Sequence, residues 1–416
     1  MPSAPRSPSP SHDRPTPGSG YRAAFAAPGT AAFFVAAVPG RLGVAMTGLG
    51  IVWLIHWSTG SFAVAGIVAG SFALAQGVVG PQAARLVDRF GQLRVLPWWI
   101  AAHAFSALLI VLVASAGMPR WAMIGSGALL GATLPQLGAL TAARWSHVLG
   151  DTPALSAGYA ADSLGNGIAF LVGPALVGVF AALVHPALGS AVAALLVVGS
   201  GAALARLRHT APPPAARTVE PAGLSSRRRS GLLTGEFVAL VGVNVGIGLY
   251  FGAMQVSVTG AVVAQNAAQF AGPIYSVMSA ASLVAGLIYG SRTWRPRPST
   301  QLALVSIGLL IGSTPLLWAT SPTAIAAALV VPGLAIAPAL VLSSVLAQAS
   351  VRRDVLTQAL TWLGSTSAAG AAVANAVAGI ALERLGVPWG FAVAILGSAV
   401  AAMATIALRL GERGTS

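Results

Sequence analysis

Cysteine and lysine are both absent from the 416 residues, and only nine acids stand against 23 arginines. Without cysteine there are no disulfides, no thiolate metal sites and no thiol nucleophile. The lack of lysine amid abundant alanine and glycine reads as codon use in a GC-rich genome. Charged residues make up 8% of the chain and hydrophobic ones 56%; a soluble domain carries about 25% charged residues. So little polar surface would not keep a chain of this length in water. Its solvent must be lipid. The signatures HExxH and GxSxG are missing, as is a phosphate-binding loop. Their absence argues against an enzyme and against an ATP-driven pump. No His/Asp/Glu spacing suits a metal, and no cofactor is expected beyond an ion gradient as energy source.

What the chain does contain is long apolar runs. About 20 such residues cross a bilayer core of about 30 Å as a helix. Twelve runs qualify: 27–55, 61–81, 94–117, 121–143, 154–183, 186–206, 233–256, 266–290, 300–318, 323–348, 357–382 and 388–408. The expected fold is therefore all-α and integral to a membrane, with twelve spans. Residues 1–24 read as a disordered tail, 25–206 as a first six-helix bundle, 207–231 as a linker, 232–408 as a second bundle and 409–416 as a short tail. Prolines 212–214 and the run Arg227–Arg229 mark the linker.

The arginines sit between apolar runs and form no face, which argues against a nucleic-acid partner. All but Arg41, Arg120 and Arg384 fall in alternate loops or in the terminal segments. By the positive-inside rule, both termini are cytoplasmic in a multi-pass protein of the bacterial cytoplasmic membrane. The two bundles read as repeats. At an offset of 203, Arg41 aligns with Asn244, Arg89 with Arg292 and Pro135 with Pro338. Parallel repeats of this kind place a substrate site at mid-membrane between them.

Residues 84–96 read ARLVDRFGQLRVL, between the second and third spans. The stretch resembles the signature loop of the major facilitator superfamily, commonly written G-x-L-a-D-r-x-G-r-r. Asp88, Arg89, Gly91 and Arg94 match; Ala84 replaces the leading glycine. The resemblance implies two parallel six-helix repeats, and a gating role for these four residues. An acid at a helix end can meet the positive N-terminus of another helix in one conformation and lose it in the other. Span five carries GPALVG at 173–178, similar to the end of the antiporter motif of drug:proton exporters in that family. Gly173, Pro174 and Gly178 match, while Ala160 and Ala169 replace glycines. Gly173 and Pro174 are accordingly expected to act in gating. The buried arginine that many proton-coupled members carry in span four has no counterpart in AMIGSGALLGATLPQL.

Charged groups inside a span default to functional hypotheses. Arg41 lies near the middle of span one, where it needs an acceptor or an anionic substrate. Asp162 lies about 12 Å into span five at ~1.5 Å per residue. A carboxylate withdrawn from water at that depth is a candidate to carry a coupling proton. Arg41 is expected to sit several ångströms deeper, which leaves direct pairing open. Asn166, Asn244, Tyr250, Gln255 and Asn375 join Arg41 as the expected lining of a substrate cavity. His103 reads as a hydrogen-bonded interior histidine and Glu236 as a helix cap.

These features lead to a secondary transporter working as a monomer in the bilayer. It would export a small organic or drug-like molecule in exchange for protons. Proton-coupled or facilitative uptake of a small organic solute is the alternative, with Arg41 favouring an anion.

Overall fold

The computed structural model describes residues 19–214, 234–292, 294–351 and 356–414. Among these residues the chain is helical, with no strand. Twelve helical segments are long and apolar enough to cross a membrane. In chain order they are Thr30–Thr59, Phe62–Phe90, Gln92–Ser115, Arg120–Leu149, Ala154–Ala181, Pro186–Arg206, Gly235–Ala264, Ala268–Ser291, Pro298–Trp318, Pro322–Ser350, Ala359–Leu385 and Val387–Leu410. They are spans one to twelve below. With an even number of crossings, both ends of the chain lie on one side, here the terminus side; the other is the far side.

Several boundaries differ from expectation for visible reasons. The N-terminal tail does not run to residue 24: Ser19–Ala26 forms a helix. It is anchored because Phe25 packs edge-on against Trp145, centroids 5.6 Å apart. Residues 1–18 lie outside the described part. The start of the linker is also held, as a turn of 3-10 helix at Arg208–Thr210; residues 215–233 lie outside the described part. At the other end, helix continues to Gly414, through most of the expected tail. Span four is broken at Thr133–Gln136, around Pro135, where proline removes a backbone donor. Pro338, its repeat partner, sits inside an unbroken helix.

The halves meet along two seams, span two against span eleven and span five against span eight. Small residues make the approach possible. A methyl group on Gly66 would overlap the Asn375 carbonyl, and one on Gly379 the Phe62 carbonyl. On the second seam, Gly178 faces Gly272 backbone to backbone. Hydrogen bonds that cross between the halves among the described residues include Ser276 Oγ to the Leu171 carbonyl (2.7 Å), Ser365 Oγ to the Gly77 carbonyl (3.0 Å), and two onto Glu383.

The two onto Glu383 lie at the far ends and Ser276–Leu171 lies in the far half, while Ser365–Gly77 lies just to the terminus side of mid-depth. Burial follows them. In span two, Val64, Ala65, Gly66, Val68, Ala69 and Gly70 are buried, while Gln82, Arg85, Leu86, Asp88, Arg89 and Phe90 are exposed. Spans one and seven are enclosed in their far halves, through Leu49–Ile55 and Val256–Val262. The far side is therefore closed and the seams part toward the terminus side.

Candidate functional site

The buried charge of the first half is gathered in one cluster. Arg41 Nη2 lies 2.6 Å from Asp162 Oδ2. Arg41 Nη1 donates to the Asp162 backbone carbonyl (2.6 Å), and Nη2 to Thr141 Oγ1 (2.7 Å). The carboxylate also accepts from Thr141 Oγ1 (2.7 Å) and from Trp145 Nε1 (3.0 Å). Spans one, four and five are thus tied together through one acid. Side chains on a helix lean toward its N-terminus. In span one that is the terminus side, so the long Arg41 side chain reaches back to the shallower Asp162. Arg41 is 4% exposed and its Nε has no partner.

The same contact recurs in the second half in uncharged form. Asn244 Nδ2 donates to Ser343 Oγ at 2.7 Å, joining spans seven and ten as Arg41 and Thr141 join spans one and four. The offsets, 203 and 202, match the sequence repeat.

The expected cavity lining needs correction. Asn244 is buried and engaged with Ser343 and the Leu240 carbonyl. Tyr250 is fully buried within the second half, beside Phe251. Asn375 is 1% exposed and donates to the Ala371 carbonyl, inside the seam of spans two and eleven. Arg41 is held by Asp162. Amide side chains on membrane helices have backbone and neighbour partners available, and the two asparagines have taken them. Gln255 is half-buried against Gly48, where spans one and seven meet.

Asn166 is exposed, as a lining residue would be. Its surroundings show which way it faces. One face of span five packs on spans one and four through Gly158, Asp162, Gly165 and Gly173. Another packs on span eight through Gly167, Leu171 and Gly178. Two exposed flanks lie between them. One carries Leu164, Ile168, Val172 and Val179 and suits lipid; the other carries Tyr159, Ser163, Asn166 and Phe170. The second flank is the polar one and suits an aqueous gap between the halves. Sequence reasoning missed Tyr159 and Ser163, although their spacing from Asn166 puts all three on one stripe.

The signature stretch is less a loop than two abutting helices. Span two runs to Phe90 and span three starts at Gln92, leaving Gly91 alone at φ 84°, ψ 149°. Only glycine takes that conformation readily. Asp88 and Arg89 are exposed. Among the described residues Asp88 has no ion pair or hydrogen bond. It lines a cavity of about 200 Å³ with Gln92, Trp99, Gln136 and Pro212–Pro213. Arg94 is exposed as well, while Gly173 is buried against span one and Pro174 is buried with its carbonyl beside Gly272 of span eight.

Arg144 is also not what its position suggested. Read as an ordinary positive-inside residue, it is fully buried. Its guanidinium donates to Gln92 Oε1 (3.0 Å), the Leu207 carbonyl (2.8 Å), Thr210 Oγ1 (2.7 Å) and the Leu204 carbonyl (2.8 Å). It closes the C-terminus of span six and fastens the linker to the signature stretch. His103 is buried, with Thr133 Oγ1 3.5 Å from its Nδ1.

A twelve-helix membrane bundle of two like halves, parted on one side around a polar flank, defines the class of secondary transporters. The family model for the Major Facilitator Superfamily matches residues 33–360, and the chain belongs to that family. No curated protein matches in sequence. Solved structures are similar in fold at low identity. The human organic anion transporter MFSD10 (TETRAN) is 16% identical, with TM-score 0.63 over 91% of this chain and 98% of that one. The nucleoside transporter NupG is 15% identical, with TM-score 0.67 over 91% and 99%. The POT family transporter PepTSo is 9% identical, with TM-score 0.70 over 92% and 97%.

Proposed function

We propose that this transporter exports a small organic molecule in exchange for protons, by alternating access between the two halves. The observation that carries the reading is the Arg41–Asp162 pair: an acid and a base held inside the first half, a few residues from the polar flank of span five. Protonation of Asp162 would cancel the charge that holds Arg41, Thr141 and Trp145 together. A proton there thereby alters the packing of spans one, four and five. Linkage of that kind turns a proton gradient into a conformational bias.

The substrate would contact Asn166 with Tyr159, Ser163 and Phe170, a surface suited to a neutral or weakly charged aromatic compound. Asp88, Arg89, Gly91 and Arg94 would fasten the terminus side when the far side opens, and Gly173 and Pro174 would let span five bend. The arginine distribution supports cytoplasmic termini, so the terminus side would face the cytoplasm of a bacterial cell. A monomer in the bilayer suffices, since each chain has both halves. Uptake of an anionic solute is the second reading, favoured by Arg41 Nε, buried and without a partner.

The test is proton movement in proteoliposomes with a pH-sensitive dye inside, a panel of lipophilic cations, antibiotics, nucleosides and organic anions, and the Asp162→Asn variant. Substrate-dependent dissipation of an imposed gradient, lost in the variant, is expected. Its direction relative to substrate separates export from uptake. Unchanged proton movement in the variant would remove Asp162 from the coupling step.

A further inference from the structure

On the far side a carboxylate crosses between the halves. Glu383, near the end of span eleven, accepts from Ser61 Oγ at 2.6 Å and from the backbone N–H of Ala63 at 2.8 Å. Ser61 is the N-cap of span two, and its hydroxyl also accepts from Val64 N at 3.2 Å. A first-half helix thus has its N-terminus closed partly by its own serine and partly by an acid from the second half. Among the described residues Glu383 is the acid whose carboxylate joins the two halves; Asp162 is satisfied within one.

We infer that Glu383 is the far-side latch of the transport cycle, fastening the conformation closed on that side. The inference rests on the alternating-access reading. When the far side opens, spans two and eleven must separate at these ends, and both bonds are then lost. An interaction present in one state and absent in the other biases the equilibrium by its full strength. The free N–H groups and partial positive charge of a helix N-terminus favour an ionised partner. Arg120 and His56, both of the first half, lie near enough to act on the carboxylate electrostatically. Arg384 follows it in sequence. The arrangement is reciprocal to the signature stretch. Asp88, an acid of the first half on the terminus side, is unengaged here, while Glu383, an acid of the second half on the far side, is engaged.

The chain has no cysteine, so spin labels can be placed without background. Met118 and Thr320 are exposed on far-side loops of the first and second halves. Distances between labels at Met118→Cys and Thr320→Cys would be measured by pulsed electron resonance in lipid nanodiscs, without substrate. Glu383→Gln keeps the shape and removes the charge; Glu383→Ala removes the acceptor. Losing a helix cap shifts an equilibrium about 2- to 30-fold, so both variants should raise the far-side-open population by a factor in that range. Ser61→Ala should act in the same direction, and its effect should shrink when combined with Glu383→Ala. Unchanged populations in both Glu383 variants, with folding verified by size-exclusion profile, would overturn the latch. The readout needs no substrate, so failure of the export reading in proteoliposomes and failure of the latch are separate results.

Discussion

Breaking a buried ion pair from one side leaves the other charge stranded. At Arg41 and Asp162 the loss is expected to be large, because both groups are enclosed and Asp162 collects four donor contacts. Arg41→Ala should destabilise the protein by about 3–5 kcal/mol, seen as a lower midpoint of thermal unfolding in detergent. Removing both charges together, as Arg41→Met with Asp162→Leu, should restore most of that stability while abolishing proton-coupled transport. A double variant as unstable as Arg41→Ala would mean that the hydrogen bonds to Thr141 and Trp145 matter more than the charge. Arg144 makes a different demand. Four acceptors surround its planar fork, and Arg144→Lys cannot reach them all. That variant should unfold at lower temperature and release the linker segment at 207–210 to added protease. Both clusters were half-visible beforehand. Charged residues were evident in apolar runs, but not the direction of a long side chain, and Arg144 stood too near a predicted loop to be recognised as interior.

At the scale of elements, glycine decides what can approach what. Gly91 stands alone between spans two and three with φ 84°, and a Cβ there would also come 3.1 Å from Pro214. Gly91→Ala should cost about 1–3 kcal/mol in backbone strain, checked by thermal unfolding, and should loosen the signature stretch from the linker. On the seam of spans two and eleven, a side chain at Gly66 would collide with the Asn375 backbone. Gly66→Val should therefore hold the far side open, giving steady labelling of a cysteine placed at Ala69 by a membrane-impermeant maleimide. If Ala69→Cys stayed protected in that background, the seam would not be what closes the far side. The number of spans was legible because twelve apolar runs leave little freedom. The break at Pro135 was not, since Pro338 in the matching place leaves its helix intact; the neighbours that tolerate the kink are set by tertiary packing. Asn244 and Asn375, expected to line a cavity, are buried between helices for a related reason. Polarity marks a residue that needs a partner, and rotation about the helix decides whether that partner is a ligand or the next helix.

For the molecule as a whole, the repeat explains why two unlike contacts, Arg41–Thr141 and Asn244–Ser343, sit in corresponding places. One half keeps an ion pair and the other a neutral contact. Under the proposed coupling, that asymmetry would let a proton act on one bundle while both bundles move. In the proposed cycle the far-side-closed arrangement is one end, and Asp88 would gain its contacts at the other. The most direct measurement follows two label pairs in one preparation, Met118→Cys with Thr320→Cys on the far side and Leu93→Cys with Arg295→Cys on the terminus side. Distances would be recorded in nanodiscs with and without a compound that dissipates the proton gradient. Alternating access predicts opposite movement: as the far-side distance lengthens, the terminus-side distance shortens. Both distances lengthening together, or neither responding to a transported compound, would contradict it.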